Sequence, residues 1–129
     1  MKRILFALTL ILLIAGVASA QEKGASIAVE GDATYDFKDI KEADGPATHI
    51  FKINNNGEMP LVITKVVASC GCTTPDWTKE PIAPGKTGEI KVTYDATGRP
   101  GTFAKTISVY SNGKTSSYVL TIKGNVIPK

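Results

Sequence analysis

Residues 89–94 read EIKVTY, with an apolar side chain at every second place and a polar or charged one between. Successive side chains of an extended strand point to opposite faces, whereas a helix needs apolar residues three and four apart. Ile90, Val92 and Tyr94 are therefore expected inward, and Glu89, Lys91 and Thr93 in water. The same period recurs in residues 26–30 (SIAVE), 34–37, 49–54 (HIFKIN), 61–67 (LVITKVV), 103–110 and 117–123. Turn residues separate these runs: Gly31-Asp32, NNNGEMP, ATGRPGT and Ser111-Asn112-Gly113-Lys114. Beyond residue 20 no segment keeps a helical period over the ~10 residues a helix needs. About seven short strands at this spacing predict an all-β, immunoglobulin-like two-sheet antiparallel sandwich. The short polar turns favour antiparallel pairing, and a small closed barrel is the alternative. The expected core holds Phe51, Ile53, Leu61, Ile63, Ile90, Val92, Ile107, Val109, Leu120 and Ile122.

The first twenty residues break this pattern. Lys2 and Arg3 precede the unbroken apolar run of residues 4–15, and Ala18-Ser19-Ala20 has the small-x-small form of a signal-peptidase site. A helical signal peptide over residues 1–20 is expected, with cleavage before Gln21. The apolar run is shorter than the ~20 residues that span a bilayer, which disfavours an uncleaved anchor. No cysteine stands at the cleavage site for lipid attachment. Taking 20 from 129 residues leaves 109, one domain over residues 21–129. Without Lys2 and Arg3 the net charge falls from +3 to +1, a balance that argues against nucleic acid or an anionic membrane as partner. A periplasmic or secreted location follows.

Both cysteines, Cys70 and Cys72, lie one residue apart in VVASCGCTTPDW. Sites i and i+2 of an extended strand are about 6.5–7 Å apart, at the outer limit for a disulfide. A bond between them would close too small a loop to add much stability through chain entropy. Gly71 could ease the geometry by a tight or bulged turn, and at a positive φ it would tolerate replacement no better than the flanking thiols. Three readings stand open: thiols shaping a turn, a labile redox pair, or two thiolates for Cu(I) or Zn(II). The last needs further ligands such as His49 or Met59.

The strings NNNGEMPLVITKVVASCGCTTPDW, PIAPGKTGEIKVTYD, GRPGTFAKTISVYSNG and LTIKGNV resemble the domain-of-unknown-function family fifteen seventy-three, exported bacterial proteins. The likeness runs from about residue 35 to 126. It rests on Asn55, Gly57, Pro60, Leu61 and Ile63, on Ser69-Cys70-Gly71-Cys72-Thr73, and on the Pro84-Gly85 turn. The family usually has Asp-Phe-Gly where this chain has Asp36-Phe37-Lys38. The resemblance implies an immunoglobulin-like fold akin to major sperm protein and ASH domains, which are interaction modules.

No catalytic arrangement can be assembled. His49, the one histidine, shares a strand face with Phe51 and Ile53, which suits a partly covered structural side chain. Asp36, Asp39, Glu42 and Asp44 sit by turns and strand ends, where capping is their usual work. Gly85-x-x-Gly88 leads into a strand, so it reads as a turn and not a phosphate loop. Trp77, after Pro75, is expected to cover one end of the core, and Tyr94, Tyr110 and Tyr118 to be core or rim. The expected protein is an exported, non-enzymatic sandwich without cofactor, a structural or protein-interaction module of the bacterial cell envelope. Its partner would be a protein or envelope component, without nucleic acid and without stable membrane insertion. The alternative is a periplasmic thiol-redox or copper/zinc-handling protein using Cys70 and Cys72.

Overall fold

The computed structural model describes residues 24–115 and 117–129; the expected signal peptide lies outside them. Among the described residues eight strands form: β1 (Ile27–Val29), β2 (Thr34–Lys41), β3 (Ala47–Asn55), β4 (Ile63–Ala68), β5 (Thr73–Trp77), β6 (Thr87–Tyr94), β7 (Gly101–Ser111) and β8 (Ser117–Ile127). A single 3-10 turn, Glu42–Asp44, separates β2 from β3. The first sheet has the order β1-β3-β6-β5 and the second β2-β8-β7-β4, so the architecture is a sandwich and not a closed barrel.

The alternating residues set the register. Phe51 faces Ile90 across β3 and β6, and Ile107 faces Leu120 across β7 and β8. All ten expected core residues are buried, joined by Tyr94, Val66, Cys72, Ile82 and Val126. Burying such side chains, at ~1.5–3 kcal/mol each, is what holds the sheets together. Tyr94 of the first sheet stacks on Phe103 of the second with ring centroids 3.9 Å apart, a contact that ties the layers at one end.

Three features depart from the expected pattern. β5 is an additional strand; Pro75 within it reads as a strand breaker in sequence. It survives because β5 is an edge. Cys72 C=O accepts from Asp95 N–H and Glu89 C=O from Thr78 N–H, so the alternation turns Pro75, opposite Val92, away from β6. No ladder bond is lost there. Second, β2 pairs with β8 in parallel, while the other described strand pairs are antiparallel. Short turns govern only neighbours in sequence, and these two strands come from opposite ends of the chain. Third, β2 runs beyond Phe37 through a bulge between Asp36 and Asp39, where Lys38 takes φ 59° and donates its N–H to Asp36 Oδ1 at 2.8 Å.

Candidate functional site

β4 ends in the second sheet and β5 begins in the first, so residues 69–72 carry the chain from one layer to the other. Backbone bonds pin this corner on both sides. Ser69 N–H donates to Thr106 C=O at 2.9 Å, and Thr106 N–H donates to Ser69 Oγ at 3.2 Å. On the other side Asp95 N–H donates to Cys72 C=O at 2.8 Å, while Thr73 N–H closes the turn onto Cys70 C=O at 3.1 Å. That turn brings the Cα atoms of Cys70 and Cys72 to 5.2 Å, closer than an extended strand allows, and the two sulfurs are bonded to each other.

The two sulfurs differ in setting. Cys72 is 3% exposed and part of the core, with Sγ 3.7 Å from the buried Thr73 hydroxyl. Cys70 is only half-buried, and its Sγ accepts the Cys72 N–H at 3.0 Å. Gly71 is exposed, is not among the glycines of positive φ, and has nothing within 4 Å of where a Cβ would stand. The expected intolerance at Gly71 is thereby corrected: the turn uses an ordinary backbone conformation there. One residue that sequence reasoning passed over stands next in register. β4 and β7 pair Ala68 with Ile107, Ser69 bonds Thr106, and the following place on β7 is Lys105. Lys105 is half-buried, pairs with the buried Ile122 across β8, and makes no carboxylate pair among the described residues. Its signal in sequence is the break in alternation, a lysine where Phe103 and Ile107 predict an apolar side chain.

The other singled-out residues do not gather round the corner. His49 stacks on Tyr35 with centroids 3.6 Å apart and meets Phe51 edge-on, and burial holds its imidazole below the ordinary value. It therefore bridges the layers at the β2 side. Met59 is 59% exposed, and among the described residues no group of three or more His, Cys, Asp or Glu could hold a metal. Asp36 caps the β2 bulge, Asp39 accepts from Asn125 Nδ2 at 3.2 Å, and Asp44 lies in the 3-10 turn. Glu42 accepts the N–H groups of Gly98 and Lys129, which hold its carboxyl below the usual range. Trp77 is half-buried against the core with Lys79 Nζ 3.0 Å over its ring, and Gly85 turns at φ 74° into β6.

Asn55 has a clear structural task. It is fully buried, and its Nδ2 donates to the carbonyls of Met59 at 2.7 Å and Ile82 at 2.9 Å. Its Oδ1 accepts from Gly57 N–H at 3.0 Å and Ser26 N–H at 3.3 Å. One amide thus fastens three separate segments. Gly57 is required beside it because a Cβ there would run into the backbone of Gly24 and Ser26.

The family described as "Protein of unknown function (DUF1573)" matches residues 28–126. No curated protein sequence matches this one. A protein of unknown function from Porphyromonas gingivalis W83 is similar at TM-score 0.67 and 17% identity, over 84% of this chain and 50% of that one. This chain thus spans half the length of that relative. The ASH/PapD-like domain 7 of human CEP192 is similar at TM-score 0.65 and 7% identity, over 90% of this chain and 96% of the domain. The YadV chaperone is similar at TM-score 0.53 and 16% identity, over 80% of this chain and 52% of YadV. At such identities the likeness concerns the fold alone.

Proposed function

This chain belongs to the DUF1573 family, whose description carries no activity, and we propose from its own surface that it is an exported, non-enzymatic protein-interaction module of the bacterial cell envelope. The observation that carries this reading is the state of the sheet edges. An unpaired edge offers a row of backbone donors and acceptors to another chain, and folded proteins usually blunt it. β1 is three residues long, β2 is bulged and charged, and β5 turns Pro75 outward. β4 is different. The Ser69–Thr106 bond fixes its parity, so the N–H and C=O groups of Val66 and Ala68 point away from β7. Beside them Val67 is 48% exposed and Val119 52%, aligned through Ser108 on the outer face of the second sheet. An extended partner segment pairing with β4 would satisfy the backbone and cover these valines.

A binding role fits the chaperone name of YadV, while the reading itself rests on the β4 edge. Export is supported by the apolar, small-x-small leader, and no helix among the described residues is long and apolar enough to cross a membrane. Ala68→Pro tests the edge, because it repeats the device of Pro75 without removing a ladder bond. The variant should melt within a few degrees of wild type, yet lose a protein that wild type captures from the native envelope. Equal capture by both would overturn the β4 reading, and material from that envelope beginning at Met1 would overturn signal removal.

A further inference from the structure

We propose that the Cys70–Cys72 bond is a thiol–disulfide exchange site, with Cys70 as the sulfur that partners attack and Cys72 as the resolving sulfur. A disulfide retained for stability should join segments that would otherwise separate. This one joins two residues of a turn whose entry, exit and closure are already fastened by the bonds of Ser69, Asp95 and Thr73. Opening it releases no distant strand, so the fold can stand while the bond exchanges. The corner also separates the two roles. Cys70 is the more exposed of the two, half-buried at the rim of the core, whereas Cys72 lies within it at 3% exposure, so an incoming thiol meets Cys70 first. The Cys72 N–H already aimed at Cys70 Sγ would stabilise negative charge on that sulfur once reduced. A cation near a thiolate does the same, and Lys105, half-buried and without a carboxylate partner among the described residues, is next in register.

The co-reactant is a dithiol, protein or small molecule. Its first thiolate attacks Cys70 Sγ and the Cys70–Cys72 bond breaks. The electron pair leaves on Cys72 Sγ, which takes a proton from solvent, and a mixed disulfide to Cys70 remains. The second thiol of the same molecule, deprotonated, attacks the first one's sulfur, and Cys70 leaves as a thiolate. The dithiol is oxidised to a disulfide, and Cys70 and Cys72 are reduced to two thiols; run backwards, the sequence reduces a disulfide.

The test uses the folded full chain. Cys72→Ser leaves a thiol at Cys70, and Cys70→Ser leaves one at Cys72. With excess oxidised glutathione at neutral pH, followed by the mass of the mixed disulfide, Cys72→Ser should react at least tenfold faster. Equal rates, or a faster Cys70→Ser, would overturn the assignment of roles. Wild-type reduction by dithiothreitol without denaturant keeps the idea open to refutation should either serine variant fail to fold. Its rate should be the same in wild type and in the core-weakened Val92→Ala. A rate that rises in Val92→Ala would mean that the bond is reached only through unfolding, and exchange in the native state would be excluded. Adding Lys105→Met to Cys72→Ser should move the pH profile of thiol reactivity upward; an unmoved profile removes Lys105 from the site.

Discussion

At the scale of single residues, Lys38 holds a backbone conformation that suits glycine. A side chain at φ 59° costs roughly 1–2 kcal/mol, and here the bulge in β2 imposes it. Lys38→Gly should therefore raise stability by about 1 kcal/mol in urea denaturation, glycine's greater freedom in the unfolded chain offsetting part of the relief. The departure from Asp-Phe-Gly is visible in the sequence, but that it falls on a bulge is a property of the β2–β8 pairing. His49 gives a second measurable effect. Burial lowers its folded-state value, so the fold prefers the neutral ring. Its contribution is complete above the ordinary imidazole value of about 6.5 and drains as pH falls through it toward the lowered one. Glu42 and Asp95, both held low by backbone N–H donors, lose their contributions only in the more acidic carboxylate range. Melting temperature against pH should thus show a shallow fall below about pH 6.5 that is absent from His49→Phe, with a steeper acid limb common to both.

At the scale of elements, β6 pairs with both β3 and β5 and carries the cleanest alternation. Val92→Ala should cost on the order of 1–3 kcal/mol, while Lys91→Ala stays within about half a kcal/mol of wild type. Similar losses from the two, by chemical denaturation, would contradict the register. At the 69–72 corner the double replacement of Cys70 and Cys72 by serine should leave a folded sandwich weaker by about 1–2 kcal/mol, chiefly from a hydroxyl at the buried Cys72 position. Gly71→Ala should fall within about half a kcal/mol of neutral, since the site is open and its φ ordinary. A larger loss at Gly71 than at the thiols would show a different turn. These elements also mark where sequence was readable. β3, β6, β7 and β8 follow from alternation, because period two has one structural meaning when a face is buried. β5 did not, since Pro75 is tolerable only on an edge and edges are decided by sheet order. The corner's two unequal sulfurs were equally out of reach. Identical residues two apart become inner and outer only once β4 and β5 are assigned to different layers.

At the scale of the whole molecule, β2 and β8 lie side by side although they come from opposite ends of the chain, and β3–β6 and β4–β7 also join strands that are not neighbours in sequence. Loops of that length must close before such contacts form, so refolding should take milliseconds to seconds with one cooperative equilibrium transition. Stopped-flow tryptophan fluorescence, with Trp77 as reporter, measures this; microsecond refolding or two separated transitions would contradict a single late-closing core. The same parallel pairing has a mechanical meaning. Thr34 opposes Thr121 and Lys41 opposes Ile127, so β2 and β8 run in one direction, entering from one pole of the sandwich and leaving toward the other. Tension applied along the chain from both ends first meets the three-residue β1 on β3; once β1 is drawn off, it pulls β2 toward one pole and β8 toward the other. It loads their shared ladder lengthwise, in shear, so that its bonds resist together instead of opening in turn like a zipper. A domain strung this way behaves as a taut link: it holds whatever is joined to its two poles a strand's length apart, and it yields abruptly when it yields.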